Sequence, residues 1–437
     1  VLVYVSNITP RVTYVLHFLS QYFGHPFTAT TDKDAFSTTG GSGINYSKER
    51  LSANELLIHP SPLLFESRIR PVITDCFHVK GYKAFFQSEG DWPFDLFAAI
   101  FFLLSRYEEY YEYSSDEYGR YPHTASLAFR ERFLNQPLVN TWLEDFRLTA
   151  REKLGTVFPA AAFKLQPTYD IDIAWSYRAK GRLRNTGGAV RSLLRAEISG
   201  LKERIQVVLK QKADPYDSYE WMDALHKEHG VQPMYFFHVG SKRNKYDKNI
   251  DPANPLLKDL IRNKSATGEV GVHPSWASVD HPYLLTGEKQ RLEEIIGKPV
   301  TASRQHYIRL TLPYTLRLLE EAGIQDEYSM GYGSINGFRA SVAHPFYWYD
   351  LQRERITNLL LHPFCFMDAN SFFEQKQNAT QTALELQQYL HSIRAVNGTM
   401  ITIWHNTFLG TDPRFAGWRE VYAAFIRAAT ASSSKRG

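Results

Sequence analysis

Phe163-Lys-Leu-Gln-Pro-Thr-Tyr-Asp170, continuing through Ile171 to Asp172, is the stretch on which the rest of the chain turns. It reads as a short strand that ends in two acids spaced by one residue. Side chains repeat every second residue along a strand, so a strand that stays regular through Asp172 puts both carboxylates on one side. One can then bind a metal while the other takes a proton. Asp-x-Asp alone is a weak signal, because calcium loops and capped helices also show it, and its weight depends on what lies downstream.

Downstream, strands and helices alternate. Helix Ser218 to His229 stops at Gly230, strand Met234 to Val239 follows, then helix Pro255 to Arg262 and strand Val270 to His273. Further on come helix Leu312 to Ala322, strand Asn358 to His362, helix Thr380 to Asn397, strand Met400 to Trp404 and helix Trp418 to Ala429. This alternation predicts a parallel sheet or barrel, in which ligands gather beyond the carboxyl ends of the strands. Ionisable residues occupy those ends. Asp170 and Asp172 follow the first barrel strand, His273 ends another, Arg304 and His306 follow the step at Val300 to Ser303, and His405 directly follows Trp404. A carboxylate with two imidazoles is a common facial site for Zn²⁺ or a similar ion, and such a site makes a nucleophile from water near neutral pH.

Thr168-Tyr-Asp-Ile-Asp172 resembles the first motif of the polysaccharide deacetylases, the NodB-homology or carbohydrate esterase family four group, in its Asp-x-Asp form. Tyr219 to Gly240 is similar to the helix and second strand that follow it. Glu269-Val-Gly-Val-His-Pro-Ser275 resembles the second motif, Ser303-Arg-Gln-His-Tyr307 the third, and Met400-Ile-Thr-Ile-Trp-His405 the last strand and histidine. The likeness is collinear over roughly residues 163 to 410. It implies an α/β chain: a distorted (β/α) barrel of the polysaccharide deacetylase type, preceded by a smaller α/β domain. It also implies a metal-dependent hydrolase that removes N-acetyl groups from a glycan or glycan precursor, with carbohydrate as substrate and Zn²⁺, or Co²⁺ or Ni²⁺, as cofactor.

By the same resemblance Asp170 is the general base, Asp172 and His273 are metal ligands, and Arg304 orients Asp170. The Tyr307 backbone N–H helps bind the oxyanion, and His405 is the general acid. Two departures stand out. The family's second motif supplies another histidine four residues on, where this chain has Ala277; His306, standing where the third motif usually has proline, is the expected replacement ligand, with His281 as second choice. The acid that pairs with the last histidine has two candidates, Asp326 and Asp368. The gap at Ala277 keeps a catalytically silent carbohydrate-binding protein as the alternative, and hydrolysis of another non-peptide C–N bond as a third.

At 437 residues the chain suggests two domains, 1–158 and 159–437, with a basic helical excursion near 178–214. A net charge of +4 with interleaved signs leaves no nucleic-acid footprint. Only Cys76 and Cys365 are present, too few for a disulfide framework, which fits a reducing compartment. Val1 to Phe23 lacks the order of a secretory signal, so a cytoplasmic protein is expected, with a trimmed signal left open by the missing initiator Met. Phe94 to Leu104 is about half the ~20 residues of a membrane helix.

The remaining polar features have simpler readings. Arg106 to Tyr111 is expected as an exposed aromatic turn after a helix over Pro93 to Tyr110, and Asn336 to Arg339 as a turn with a surface arginine. His344 and His362 read as structural, and Tyr347-Trp348-Tyr349 as a stretch able to line a sugar cleft. Gly40 to Gly43 lacks the lysine and strand context of a phosphate loop, and Ser275 lacks nucleophile-elbow glycines. The polar run Ser432 to Arg436 reads as a terminal tail, and the oligomeric state is not legible.

Overall fold

The computed structural model describes residues 1–38, 42–159, 161–181, 185–188, 190, 193 and 198–431. Gly40 and Gly41, Arg182, Arg184, Arg191 and Arg195 of the excursion, and the tail 432–437 lie outside the described residues. The fold is mixed α/β and forms two compact units. They do not divide at one point near residue 158. One unit holds Val1–Lys164, Leu310–Cys365 and His391–Met400; the other holds Leu165–Arg309, Phe366–Leu390 and the chain from Ile401.

In the second unit the strands run in the order Ala302–Ser303, Glu269–Val272, Met234–Phe237, Lys164–Ile171, Thr399–His405, Phe366–Met367. The pairs from Ala302–Ser303 to Lys164–Ile171 are parallel, as is the last pair. Met234-Tyr-Phe-Phe237 is buried throughout, the continuous apolar pattern of a parallel strand covered on both faces. Gly271 is required here, because a Cβ would lie 2.5 Å from the Phe236 ring and 2.9 Å from the Ala302 carbonyl oxygen. That close fit keeps Phe236 beneath the guanidinium of Arg304, 4.6 Å from ring centre to Cζ. The connecting helices carry their own signals. Asn254 caps Pro255–Thr267 with Pro255 in the first turn, and Gly230 closes Tyr219–His229 in the left-handed region, φ 63°.

In the first unit, four parallel strands run in the order Thr28–Thr30, Leu2–Val5, Ile44–Tyr46, Leu56–Leu57. Helix Pro10–Phe23 packs against the antiparallel pair Phe346–Asp350 and Arg355–Pro363. Tyr14 donates to the Tyr347 carbonyl at 2.9 Å, and Arg11 binds both carboxylate oxygens of Glu354. Asn140, on helix Leu138–Leu154, accepts from the Ala343 N–H at 2.8 Å. These contacts explain why residues 310–365 join the N-terminal segment. All nine residues of helix Leu96–Leu104 are buried in this core, and no helix among the described residues is long and apolar enough to cross a membrane.

Three surface expectations are corrected. The helix stops at Leu104, and Arg106 (φ 53°) turns the chain into the short Tyr107–Tyr110 helix. Arg106, Glu108, Glu109 and Arg339 are all buried and form one charged network. Trp348 and Tyr349 are buried too, so these two rings are core and not a cleft wall, while Tyr347 is half-buried. Removing one partner of a buried pair strands the other charge, so Glu109→Ala should destabilise by roughly 3–5 kcal/mol. A lower urea midpoint checks this.

Candidate metal centre

All seven sequence-predicted site residues fall in the second unit, at or just past the carboxyl ends of its strands. Ser303 is in register with Val272, so Arg304 and His273 leave adjacent parallel strands side by side. The Arg304 N–H donates to the Val272 carbonyl at 3.0 Å, and the Arg304 carbonyl accepts from His273 Nδ1 at 2.6 Å. With a proton committed at Nδ1, His273 turns its Nε2 inward. That nitrogen lies 3.0 Å from Asp172 Oδ1 and 3.8 Å from Asp170 Oδ2.

Asp170 and Asp172 do share a side. Arg304 Nη1 donates to Asp170 Oδ1 at 3.0 Å and to Thr168 Oγ1 at 2.6 Å, which holds that carboxylate by one oxygen. Asp172 Oδ2 lies 3.5 Å from His306 Nε2 and 3.6 Å from His405 Nε2. Single ligand atoms of Asp172, His273 and His306 all lie within 4.8 Å of one another. Ala277 sits in the short turn Trp276–Ser278, and exposed His281 caps the following helix; neither is in the cluster.

The donor set fits a divalent cation. Asp172 Oδ1 is a buried acceptor with no hydrogen-bond donor among the described residues, and it faces a histidine nitrogen that is itself a lone pair in the neutral ring. Two acceptors turned toward each other need a cation or a proton between them. Burial opposes ionisation of Asp172, but the charge of His306 outweighs it and holds the carboxyl well below the usual range. Burial likewise disfavours the His306 cation, yet Asp172 and then Asp247 push it up to about 9.

Were a cation held there through His306, it would displace the ring proton, so zinc affinity would rise with pH and level off above pH 9. The slope below that is up to about tenfold per pH unit for one displaced proton. In metal-free protein the sign is opposite: the raised His306 value, from 6.5, gives stability that is fully present below pH 6.5 and lost as pH climbs through 9. Zinc titrations and urea midpoints at pH 6.5, 7.5 and 8.5 check both.

His405 is held twice by one carboxylate. Its backbone N–H donates to Asp368 Oδ2 at 2.7 Å and its ring Nδ1 lies 2.6 Å from Asp368 Oδ1. Burial opposes the charged ring, but Asp368, with Asp172 and Asp170, pushes it up to about 10. Of the two candidate acids, Asp368 takes this place; Asp326 is in the first unit, paired with His362 at 2.8 Å. Tyr307 (φ 58°) and Ile308 (φ 53°) both lie in the left-handed region, which costs about 1–2 kcal/mol each for non-glycine residues and turns the backbone sharply after His306.

Sequence reasoning missed His238 and Asp247. Asp247 Oδ1 accepts from His306 Nδ1 at 3.0 Å, and the His238 ring stacks on His306, centroids 5.2 Å apart. His238 offered a signal, since it directly follows the strand Met234–Phe237; Asp247, in the polar loop after it, offered none.

A family model described as a family of unknown function, DUF7033, matches residues 1–154, all within the first unit. A search of curated proteins finds no match. Among solved structures, the chain is similar to a suspected polysaccharide deacetylase from Mycobacterium smegmatis. That likeness has 15% identity and a TM-score of 0.41, covering 64% of this chain and 87% of the other. It is also similar to one from Pseudomonas aeruginosa PAO1 (14%, TM-score 0.41, 74% and 93% covered). A third is a CE4 family pseudoenzyme from Bacillus anthracis (10%, TM-score 0.31, 63% and 67% covered). These likenesses are distant.

Proposed function

We propose that the chain is a metal-dependent hydrolase of the polysaccharide deacetylase type, built on a distorted (β/α) barrel, that removes N-acetyl groups from a glycan or glycan precursor. The observation that carries this reading is the meeting of three groupings around Asp172: Asp170 with Arg304, His273 with His306, and His405 with Asp368. The ordered sequence motifs that supply them support the same reading.

Asp172, His273 and His306 would hold the cation. A divalent cation there supplies Lewis-acid chemistry, lowering the pKa of water and polarising a carbonyl oxygen. Asp170, steadied by Arg304, accepts the proton of the attacking water. His405, protonated beside Asp368, donates to the departing amine. The Tyr307 N–H, on its strained turn, is the donor assigned to the developing oxyanion.

The test is acetate release from N-acetylated oligosaccharides by the full chain loaded with Zn²⁺, Co²⁺ or Ni²⁺. Acetate at a rate that tracks bound metal supports the proposal. Bound metal with no acetate favours the silent carbohydrate-binding reading, which Ala277 keeps in play. Release from other amides alone favours the wider C–N hydrolase.

A further inference from the structure

We propose that Asp247 is the positioning residue for His306, a role that rests on His306 being a ligand of the cation. Asp247 is buried, and its Oδ1 accepts both the His306 ring Nδ1–H at 3.0 Å and the Trp276 backbone N–H at 3.0 Å. Its Oδ2 accepts from Asn244 Nδ2 at 2.7 Å, while its own N–H donates to Asn244 Oδ1 at 2.8 Å. The carboxylate is thus fixed by its own loop before it meets the histidine.

A ring whose Nδ1–H is engaged points its Nε2 lone pair the opposite way, here toward Asp172 and His273. Carboxylates in this position fix the tautomer and orientation of a liganding histidine and raise its basicity. His238 walls the ring from its other side. Its Nδ1 lies 3.3 Å from the His273 carbonyl oxygen and its Nε2 3.7 Å from Asp247 Oδ1. Trp276 precedes Ala277, so the turn that lacks the motif's second histidine is tied through its backbone to the carboxylate that orients the replacement.

His238, Asp247 and His306 also bring ligand atoms within 4.8 Å of one another, so a cation of their own is the competing arrangement. It would take His306 by Nδ1 and not by Nε2. The two arrangements differ in stoichiometry.

The experiment uses the full chain and its Asp247→Asn, Asp247→Glu, Asp247→Ala and His306→Ala variants, titrated with Zn²⁺ by calorimetry and with Co²⁺ by visible absorption. Asparagine keeps a neutral oxygen for the Trp276 and His306 N–H groups but turns its NH2 toward the Asn244 NH2, so a merely structural carboxylate would show a lower urea midpoint with zinc affinity and cobalt bands unchanged. Expected are one equivalent of zinc, a roughly 10–100-fold weaker affinity and altered cobalt bands in Asp247→Asn, and partial recovery in Asp247→Glu. Unchanged affinity and bands in Asp247→Asn and Asp247→Ala, with metal lost in His306→Ala, overturns the role of Asp247 alone. Wild type without metal, or His306→Ala binding as wild type does, overturns the ligand reading and the inference with it. Two equivalents in wild type and one in Asp247→Ala makes Asp247 a ligand and overturns the positioning role.

Discussion

Acetate release by Asp170→Asn should fall by about 10²–10⁴-fold, the usual contribution of a positioned general base, while its zinc content stays that of wild type. The substitution is nearly isosteric. Asparagine keeps an oxygen for Arg304, so the pocket retains its shape and loses the group that takes the proton. The separation of rate from metal content is the informative part. Asp170 Oδ2 lies 3.8 Å from His273 Nε2, near enough that a ligand role has to be tested beside a base role. A parallel loss of zinc and rate would make Asp170 a ligand, and an unchanged rate would remove it from the chemistry.

His306→Ala should lose bound zinc by more than about 100-fold, beyond what the loss of an orienting partner costs, and acetate release should fall with it. Asp172 and His273 alone leave a two-ligand site. The variant also strands the buried Asp247 carboxylate without its imidazole partner, so a lower urea midpoint should accompany the loss. His281→Ala serves as the control and should bind zinc as wild type does, because His281 is exposed and outside the cluster. Zinc retained in His306→Ala would remove His306 from the site.

Much of the second unit was legible. Its strands are short continuous apolar runs and its helices carry Asn, Pro and Gly at their ends, so the expected strands at Met234 and Val270 lie within a residue or two of those observed. Ala302–Ser303 and Phe366–Met367 have two residues each, too few for any periodicity, which is why Asp368 stood only as one of two candidates. Asp326–Met330 is buried from Glu327 onward, and Glu327 is a polar residue that reads as surface until its burial is seen. Arg106 and Arg339 failed as surface predictions for a related reason. Glu109 and its partner Arg339 are 230 positions apart, and local composition carries no trace of such a pairing. Asp247 sits among Lys242, Arg243, Lys245 and Lys248, a neighbourhood that announces solvent.

The way the first unit gathers its segments bears on how this protein can be cut. Helix Pro10–Phe23 lies over strands that the chain supplies more than 300 residues later, as the Tyr14 to Tyr347 bond records. A fragment ending at residue 154, where the family model stops, would be born with that helix face wet and apolar, and its C-terminal complement would carry an uncovered hairpin. Gene truncation at that boundary is therefore a recipe for aggregation, and the two pieces should recover solubility only when they are made together.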